Sequence, residues 1–298
     1  MYMIIGASGF LGSYLIDELV KSTDEKIVAV YHSRKGMQQN DQIVWIRCDI
    51  TNSDDIETLN KKFLGEKKKV ILLTACHNPD VVFENPRFAW QINIVALADL
   101  LNKLDNVEGL IYSSTDSVYG NSTNGYKYME SSILNPINIY GKQKVLAEQI
   151  VTGYGYNVAR LPLMIGHSLV ADKEHFYDKI VNTLISGKEI EMFVDSYRST
   201  LSFRQAAKFI IRMFDFIGVA PDFPKIINLC SDEGMSKFEL GKLVAKKLGS
   251  KEKLIKPIYL SEDSTIFKTP RADSTIMDNT LMKKWYGVES VLFDVESC

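Results

Sequence analysis

Apolar positions along this chain follow two different periods in turn. Met3-Ile4-Ile5 is a short continuous run, after which Leu11, Tyr14, Leu15 and Leu19 recur at steps of three and four. Lys26 to Tyr31 is then again almost wholly apolar. A run with no polar alternation suits a strand of a parallel sheet covered on both faces, whereas steps of three and four put side chains on one side of a helix. The same exchange continues with strands at Ile43 to Cys48, Val70 to Thr74, Gly109 to Tyr112, Asn157 to Pro162 and Ile226 to Leu229. Helices are predicted from Asn52-Ser53 to about Phe63, with Asp54 and Asp55 in the first turn, and from Pro86 to about Leu104. Asn93 lies in the middle of the second, where it either makes a tertiary hydrogen bond or sits on the surface.

The second half repeats the alternation more loosely. Phe176 to Ser186, Arg204 to Phe216 and Ser236 to Leu248 read as helices and Ile190 to Val194 as a short strand, while Gly249, Pro257 and the polar run Ser261 to Ser264 mark a looser region. At 298 residues the chain suits one large α/β domain or a domain with an appended lobe. The boundary is placed near residue 160: residues 1–160 form the sheet domain, residues 161–298 mainly a smaller lobe, and elements near 204–230 pack back on the first.

Composition narrows the function classes. Hydrophobic residues are 46% and charged residues 24%, so the chain is expected to be globular. A formal net charge of −2, with no basic cluster beyond Lys67-Lys68-Lys69, gives no footprint for nucleic acid. That run reads as a solvated loop between helix and strand. Cys48, Cys76, Cys230 and Cys298 are scattered without paired spacing, which suggests a reducing compartment. The first strand begins almost at Met1 and no apolar run reaches spanning length, so a cytoplasmic protein without a membrane partner is expected. Asn121-Ser122-Thr123 fits a glycosylation acceptor but reads as an ordinary loop. No residue group calls for a metal.

The first turn carries the chemistry. Gly6, Gly9 and Gly12 are spaced by three between a strand and a helix, the order by which backbone amides approach a pyrophosphate at a helix N-terminus. The order is G-x-x-G-x-x-G, and such a turn serves either a dinucleotide or a purely steric need. Taken as a cofactor site, it includes Gly6, Ser8, Gly9, Phe10, Leu11 and Gly12. The second strand ends in His32-Ser33-Arg34-Lys35 with no acid to bind ribose hydroxyls, so Ser33, Arg34 and Lys35 favour NADP(H) over NAD(H). Asp49-Ile50 at the next strand end could accept from an adenine amine or belong to a turn. Thr74, Ala75 and Cys76 end the fourth strand beside the cofactor, followed by His77, which could face a substrate or simply bond within the structure.

The fifth strand delivers Ser113-Ser114-Thr115-Asp116-Ser117 to the carboxyl edge, where open α/β sheets bind ligands. Tyr140 and Lys144, four apart, share a helix face. A free Tyr has a pKa of about 10, so only about one in a thousand is ionised at neutral pH. An adjacent ammonium and a positively charged nicotinamide would lower that value and let Tyr140 act as acid or base.

Together, Gly6-x-x-Gly9-x-x-Gly12, Ser114-Thr115 and Tyr140-x-x-x-Lys144 resemble the extended short-chain dehydrogenase/reductase family. Within it the chain is most similar to the dTDP-4-dehydrorhamnose reductase group. The likeness rests on Ser114-Thr115-Asp116, Asn135-Pro136-Ile137-Asn138-Ile139-Tyr140-Gly141-Lys142, Arg198-Ser199-Thr200 after a strand, Ser236-Lys237-Phe238-Glu239-Leu240 and Pro270-Arg271-Ala272-Asp273-Ser274. The resemblance implies a Rossmann-type doubly wound parallel sheet with a smaller C-terminal α/β substrate lobe. It implies Thr115, Tyr140 and Lys144 as catalytic residues, with Tyr140 and Lys144 also touching cofactor. Arg198 and Arg271 of the second half are candidates for a substrate diphosphate, because a guanidinium fork matches phosphate oxygens, or else each is a surface arginine in a salt bridge. The activity implied is NADPH-dependent reduction of a nucleotide-linked 4-keto deoxysugar. An NAD-dependent nucleotide-sugar epimerase and a non-catalytic NADP-binding regulatory subunit are the alternatives, and a homodimer is compatible with all three. Ser117 stands where similar dehydratases carry Glu, which weighs against a dehydratase. Leu201-Ser202-Phe203-Arg204-Gln205 replaces the group's usual acidic pair.

Overall fold

The structure is a computed structural model that describes residues 1–122, 125–260, 266–295 and 298. Thr123 of the Asn-Ser-Thr sequence and the run Ser261 to Ser264 lie outside the described residues. In chain order the strands are β1 (Tyr2–Ile5), β2 (Ile27–Tyr31), β3 (Ile43–Arg47), β4 (Lys68–Leu72), β5 (Val107–Thr115), β6 (Asn157–Leu161), β7 (Leu163–Ile165), β8 (Ile190–Phe193), β9 (Tyr197–Ser202), β10 (Ile226–Asn228), β11 (Gly234–Ser236), β12 (Ile255–Ile258) and β13 (Ser274–Thr275). The helices are α1 (Phe10–Ser22), α2 (Ser53–Lys62), α3 (Pro79–Glu84), α4 (Pro86–Trp90), α5 (Leu97–Lys103), α6 (Ile139–Gly153), α7 (Phe176–Ile185), α8 (Phe203–Met213), α9 (Lys237–Lys247) and α10 (Thr280–Tyr286).

Seven parallel strands form one sheet in the order β10-β6-β5-β4-β1-β2-β3. The unbroken apolar runs have a direct cause here. Along β1 and β2, Ile4, Ile27 and Ala29 enter the core under α1 and α8, while Met3, Ile5, Val28 and Val30 enter the core under α2, α5 and α6. Both faces are dry, so neither tolerates polar alternation. The chain winds outward from β1 to β3, then returns to β4 and winds the other way. The loops after β1 and β4 therefore part at the switch point, where a crevice opens.

From the second half, β10 pairs with β6 and α8 packs on α1, where Arg204 reaches Asp17 at 2.9 Å and also pairs with Glu18. The remaining elements build a smaller layer in which β9 pairs with β7, β11 and β13, and β8 pairs with β12. Ile180, Val181, Leu184, Leu240 and Val244 of α7 and α9 fill its own core.

Three details depart from the sequence pattern. The helix from Pro86 to Lys103 runs without a break but is not α-helical throughout, because Gln91–Ala96 forms a π-helical stretch between α4 and α5. Asn93 is buried there and holds both backbone groups of Cys76, accepting from its N–H at 2.8 Å and donating to its carbonyl at 3.1 Å, while donating to Gln143 at 2.8 Å. Such widened turns gather at functional sites. Secondly, Lys68 is not in a solvated loop. It opens β4 fully buried, its ammonium donating to the Glu66 and Asp105 carbonyls and pairing with the Asp105 carboxylate. Finally, Arg198, Ser199 and Thr200, which follow the strand β8, themselves lie within a further strand, β9.

Candidate active site

At the switch point Gly6 turns the chain with φ 94°, a conformation that L side chains rarely adopt. Gly9 then caps α1 without a side chain, so the first-turn amides face outward with no side-chain acceptor from the cap. Gly12 is required for contact. A Cβ there would stand 2.5 Å from the Ala7 carbonyl oxygen and 2.6 Å from that of Gly6, both backbone atoms that cannot step aside. Gly12→Ala should accordingly lower stability by about 1–3 kcal/mol, measured by denaturant unfolding, and weaken NADPH and NADH alike by pushing helix and turn apart.

In front of this turn lies a cleft of about 600 Å³. Gly6, Ser8, Gly9, Ser33, Arg34, Asp49, Ile50, Thr74, Ala75 and His77 all line it, so ten separately chosen sequence positions meet in one place. The others fall beside it. Leu11 is buried in the core under the sheet, and the Phe10 ring packs edge-on to His175 and against Phe203. Lys35 is exposed beyond the cleft wall, and Cys76 packs against Tyr140. Asp49 is engaged as a turn residue, accepting from the Thr51 N–H at 2.9 Å and hydroxyl at 2.7 Å, which holds its carboxyl below the usual range.

Thr115, Tyr140 and Lys144 are not among the residues that line this cleft; they gather next to it, where Cys76, between the cleft-lining Ala75 and His77, packs against Tyr140. β5 carries Ser114 to a buried carboxylate, Glu148 of α6, at 2.5 Å, and Glu148 is paired at 2.7 Å with the buried Arg160 of β6. Thr115 follows, its hydroxyl accepting from the Ser117 N–H at 3.2 Å and donating to Asp116 at 3.0 Å. Asn138 caps α6 through the Gly141 N–H at 2.9 Å and donates to the Pro270 carbonyl at 3.1 Å. Gly141 lets α6 approach this turn, since a Cβ there would stand 2.5 Å from the Ser117 carbonyl oxygen. The close approach brings Tyr140 near Thr115 and Asp116.

The electrostatics differ from those read in the sequence. Tyr140 is not pulled toward the phenolate: burial, and next the Asp116 carboxylate, push its pKa well above the ordinary value, with the nearby Thr115 hydroxyl opposing. Lys144 is aimed elsewhere. Its ammonium donates to the Tyr112 hydroxyl at 2.7 Å and the Ser113 carbonyl at 2.6 Å, and it sits 4.0 Å from the Tyr112 ring centroid. Burial holds its pKa down to about 7, with Glu148 one helical turn away acting the other way. The physical reason is that neither side chain is solvated, and desolvation outweighs a pairing that the geometry directs to β5. On the cleft wall, desolvation and then the ammonium of Lys173 lower the His77 pKa, with a backbone hydrogen bond at Ala75 opposing.

Across from Thr115, two arginines and one lysine meet. Arg198 donates to the Ala272 and Tyr197 carbonyls, each at 2.7 Å, and its Nε stands 3.7 Å from Asp116. Arg271 pairs with Asp80 at 3.0 Å and lies over the Phe267 ring at 4.6 Å. Between them is Lys237, with the Phe193, Phe267 and Phe176 rings 5.5, 5.8 and 5.9 Å from its ammonium. Burial and the fields of both arginines hold its pKa at about 8. Lys237 was visible only as part of a motif, yet a signal existed. It is the first helical residue inside the Ser236–Glu239 capping box, where the helix dipole disfavours a cation.

The chain matches the model of one family, the RmlD substrate binding domain, over residues 1–294. It is 26% identical over 291 residues to methionine adenosyltransferase 2 subunit beta of Xenopus tropicalis, covering 95% of this chain and 81% of that protein. Among solved structures it is similar to a hypothetical dTDP-4-dehydrorhamnose reductase from Sulfolobus tokodaii, with a TM-score of 0.80 and 23% identity over 99% of this chain and 98% of that one. A dTDP-4-dehydrorhamnose reductase from Bacillus anthracis str. Ames in complex with NADP gives a TM-score of 0.76 and 20% identity, covering 97% and 93%. No helix among the described residues is long and apolar enough to cross a membrane.

Proposed function

We propose, for a chain that belongs to the RmlD substrate binding domain family and has the fold of the extended short-chain NAD(P)-dependent oxidoreductases, that it reduces a nucleotide-linked 4-keto deoxysugar with NADPH. What supports this reading is a glycine-turned cleft with Arg34 on its wall and, next to it, a buried Tyr140 near Thr115 whose pKa burial raises. The residues fit a dinucleotide. Gly6, Ser8 and Gly9 would hold its diphosphate, Arg34 its 2′-phosphate, and Lys144 its nicotinamide ribose. When bound, it would supply a hydride to the keto carbon.

The chain's own residues do the rest. Thr115 donates a hydrogen bond to the keto oxygen and polarises it; Tyr140 gives its proton to that oxygen as negative charge develops there. Burial keeps Tyr140 protonated at rest, the form a reductase needs. An epimerase would have to begin with the same residue as a base, which weighs against that alternative. The preference for NADPH rests on the absence of a carboxylate at the end of β2 and on Arg34 in the cleft.

Arg198, Lys237 and Arg271 would receive the diphosphate of the sugar nucleotide, with the phenylalanines beside them offering faces to its base. Lys237→Ala should raise the KM for a nucleotide sugar by about tenfold or more, the loss of a charge-assisted bond, with little change in kcat or NADPH affinity. An unchanged KM would remove the diphosphate from this cluster. A second reading is favoured by one observation: the relative at 26% identity is named as a subunit. On that reading the chain binds cofactor and a partner protein and turns nothing over.

A further inference from the structure

The loop of residues 167–175 connects β7 to α7 and crosses from the second half of the chain onto the cofactor cleft. Both of its ends are tied to one carboxylate. Asp178 accepts from the His175 N–H at 2.8 Å and the Ser168 N–H at 3.1 Å, and its other oxygen lies 2.9 Å from His167 Nδ1. Tyr14 of α1 adds a bond to the His167 carbonyl at 2.9 Å. The base of the loop is thus fixed, and its tip comes forward.

At the tip, Val170, Asp172 and Lys173 line the same cleft as Gly6, Ser8 and Gly9. The Lys173 ammonium is 4.8 Å from the ring centroid of Phe10, the first residue of α1, and its field reaches both His77 and His175. Among the described residues it is held by an aromatic ring and not by a carboxylate. The second contact is Arg34, whose Nη1 donates to the Ala171 carbonyl at 2.5 Å. A guanidinium has five N–H donors in a planar fork, so one edge can hold Ala171 while another meets a phosphate.

We propose that this loop is a clamp on the cofactor: Lys173 pairs with the dinucleotide's diphosphate, and Arg34 joins the 2′-phosphate to the loop through Ala171. The proposal rests on the cofactor reading of the cleft and extends it to residues of the second half. It divides the labour by cofactor. Lys173 serves both NADPH and NADH, because both carry the diphosphate, whereas the Arg34 bridge is completed by NADPH alone.

The test is a fluorescence titration of the whole protein and of Lys173→Ala, Lys173→Arg and Arg34→Ala with NADPH and NADH, followed by hydrogen exchange across 167–175 at saturation. Lys173→Ala should weaken both cofactors by about tenfold with an unchanged thermal midpoint, and Lys173→Arg should restore most of the loss. NADPH should protect 167–175 more than NADH does, and Arg34→Ala should remove that difference. Equal affinities for Lys173→Ala and the unaltered protein, or equal protection by the two cofactors, would overturn the clamp while leaving the cofactor reading intact. An unaltered protein that binds neither cofactor would overturn both.

Discussion

Replacing Tyr140 with Phe should lower kcat by about 10²–10⁴-fold, the range for loss of a positioned general acid, while NADPH affinity stays within a few-fold. The reasoning is local. Tyr140 is 8% exposed and packs against Val82 and Ala89, contacts that a Phe ring would keep. Its hydroxyl is the only part that changes. Thr115 would still have Asp116 and the Ser117 N–H as partners, so the site should not collapse when the phenol oxygen leaves. Steady-state kinetics with a parallel cofactor titration separates the two quantities. A variant that retains full turnover would remove Tyr140 from the chemistry.

Lys144→Met should abolish most activity and, below neutral pH, make the protein more stable. In the folded state burial holds the Lys144 pKa at about 7, against 10.5 for the free side chain. Between those values the unfolded chain carries the proton and the folded chain does not, so stability rises with pH across that window. Below about pH 7 the full cost of a buried ammonium is present, and Met removes it. Against this, Met leaves the Ser113 carbonyl without the bond at 2.6 Å, a loss of about 1–3 kcal/mol. The variant should therefore melt a few degrees above the unaltered protein near pH 6, and the difference should shrink and reverse toward pH 10. Thermal midpoints measured across that range read the sign directly. A difference that does not change with pH would mean that Lys144 is not the titrating group. The same proton links to binding, so NADPH should bind less tightly as pH rises through about 7 in the unaltered protein.

Much of this architecture was legible because two physical patterns are local. Runs with no polar alternation marked every strand of the large sheet to within a few residues, since both faces of that sheet are covered by helices. The glycine turn was legible for a steric reason: at Gly12 the neighbouring backbone leaves no room for a Cβ. What the sequence hid depends on partners far along the chain. Lys68 resembles its solvated neighbours until Asp105 folds against it, and the π-helical turn at Asn93 answers to Cys76 and Gln143. Spacing puts Tyr140 and Lys144 on one helix face but does not show the depth of burial, which raises the Tyr140 pKa and lowers that of Lys144. Lys173 carried no signal in the sequence and Lys237 stood only within the Ser236–Leu240 motif; the fold brings one to the cleft at the glycine turn and the other beside two arginines.

The central claim is that the chain delivers a hydride to a nucleotide-linked keto sugar, and one measurement addresses it most directly. The purified protein is mixed with NADPH and, one at a time, a panel of nucleotide-linked 4-keto deoxysugars, while the absorbance of the reduced cofactor is followed. The account predicts NADPH oxidation with at least one sugar, in amounts equal to the reduced sugar formed, and none with Tyr140→Phe. Tight NADPH binding with no oxidation by any member of the panel would contradict it, and would shift the protein to the subunit reading.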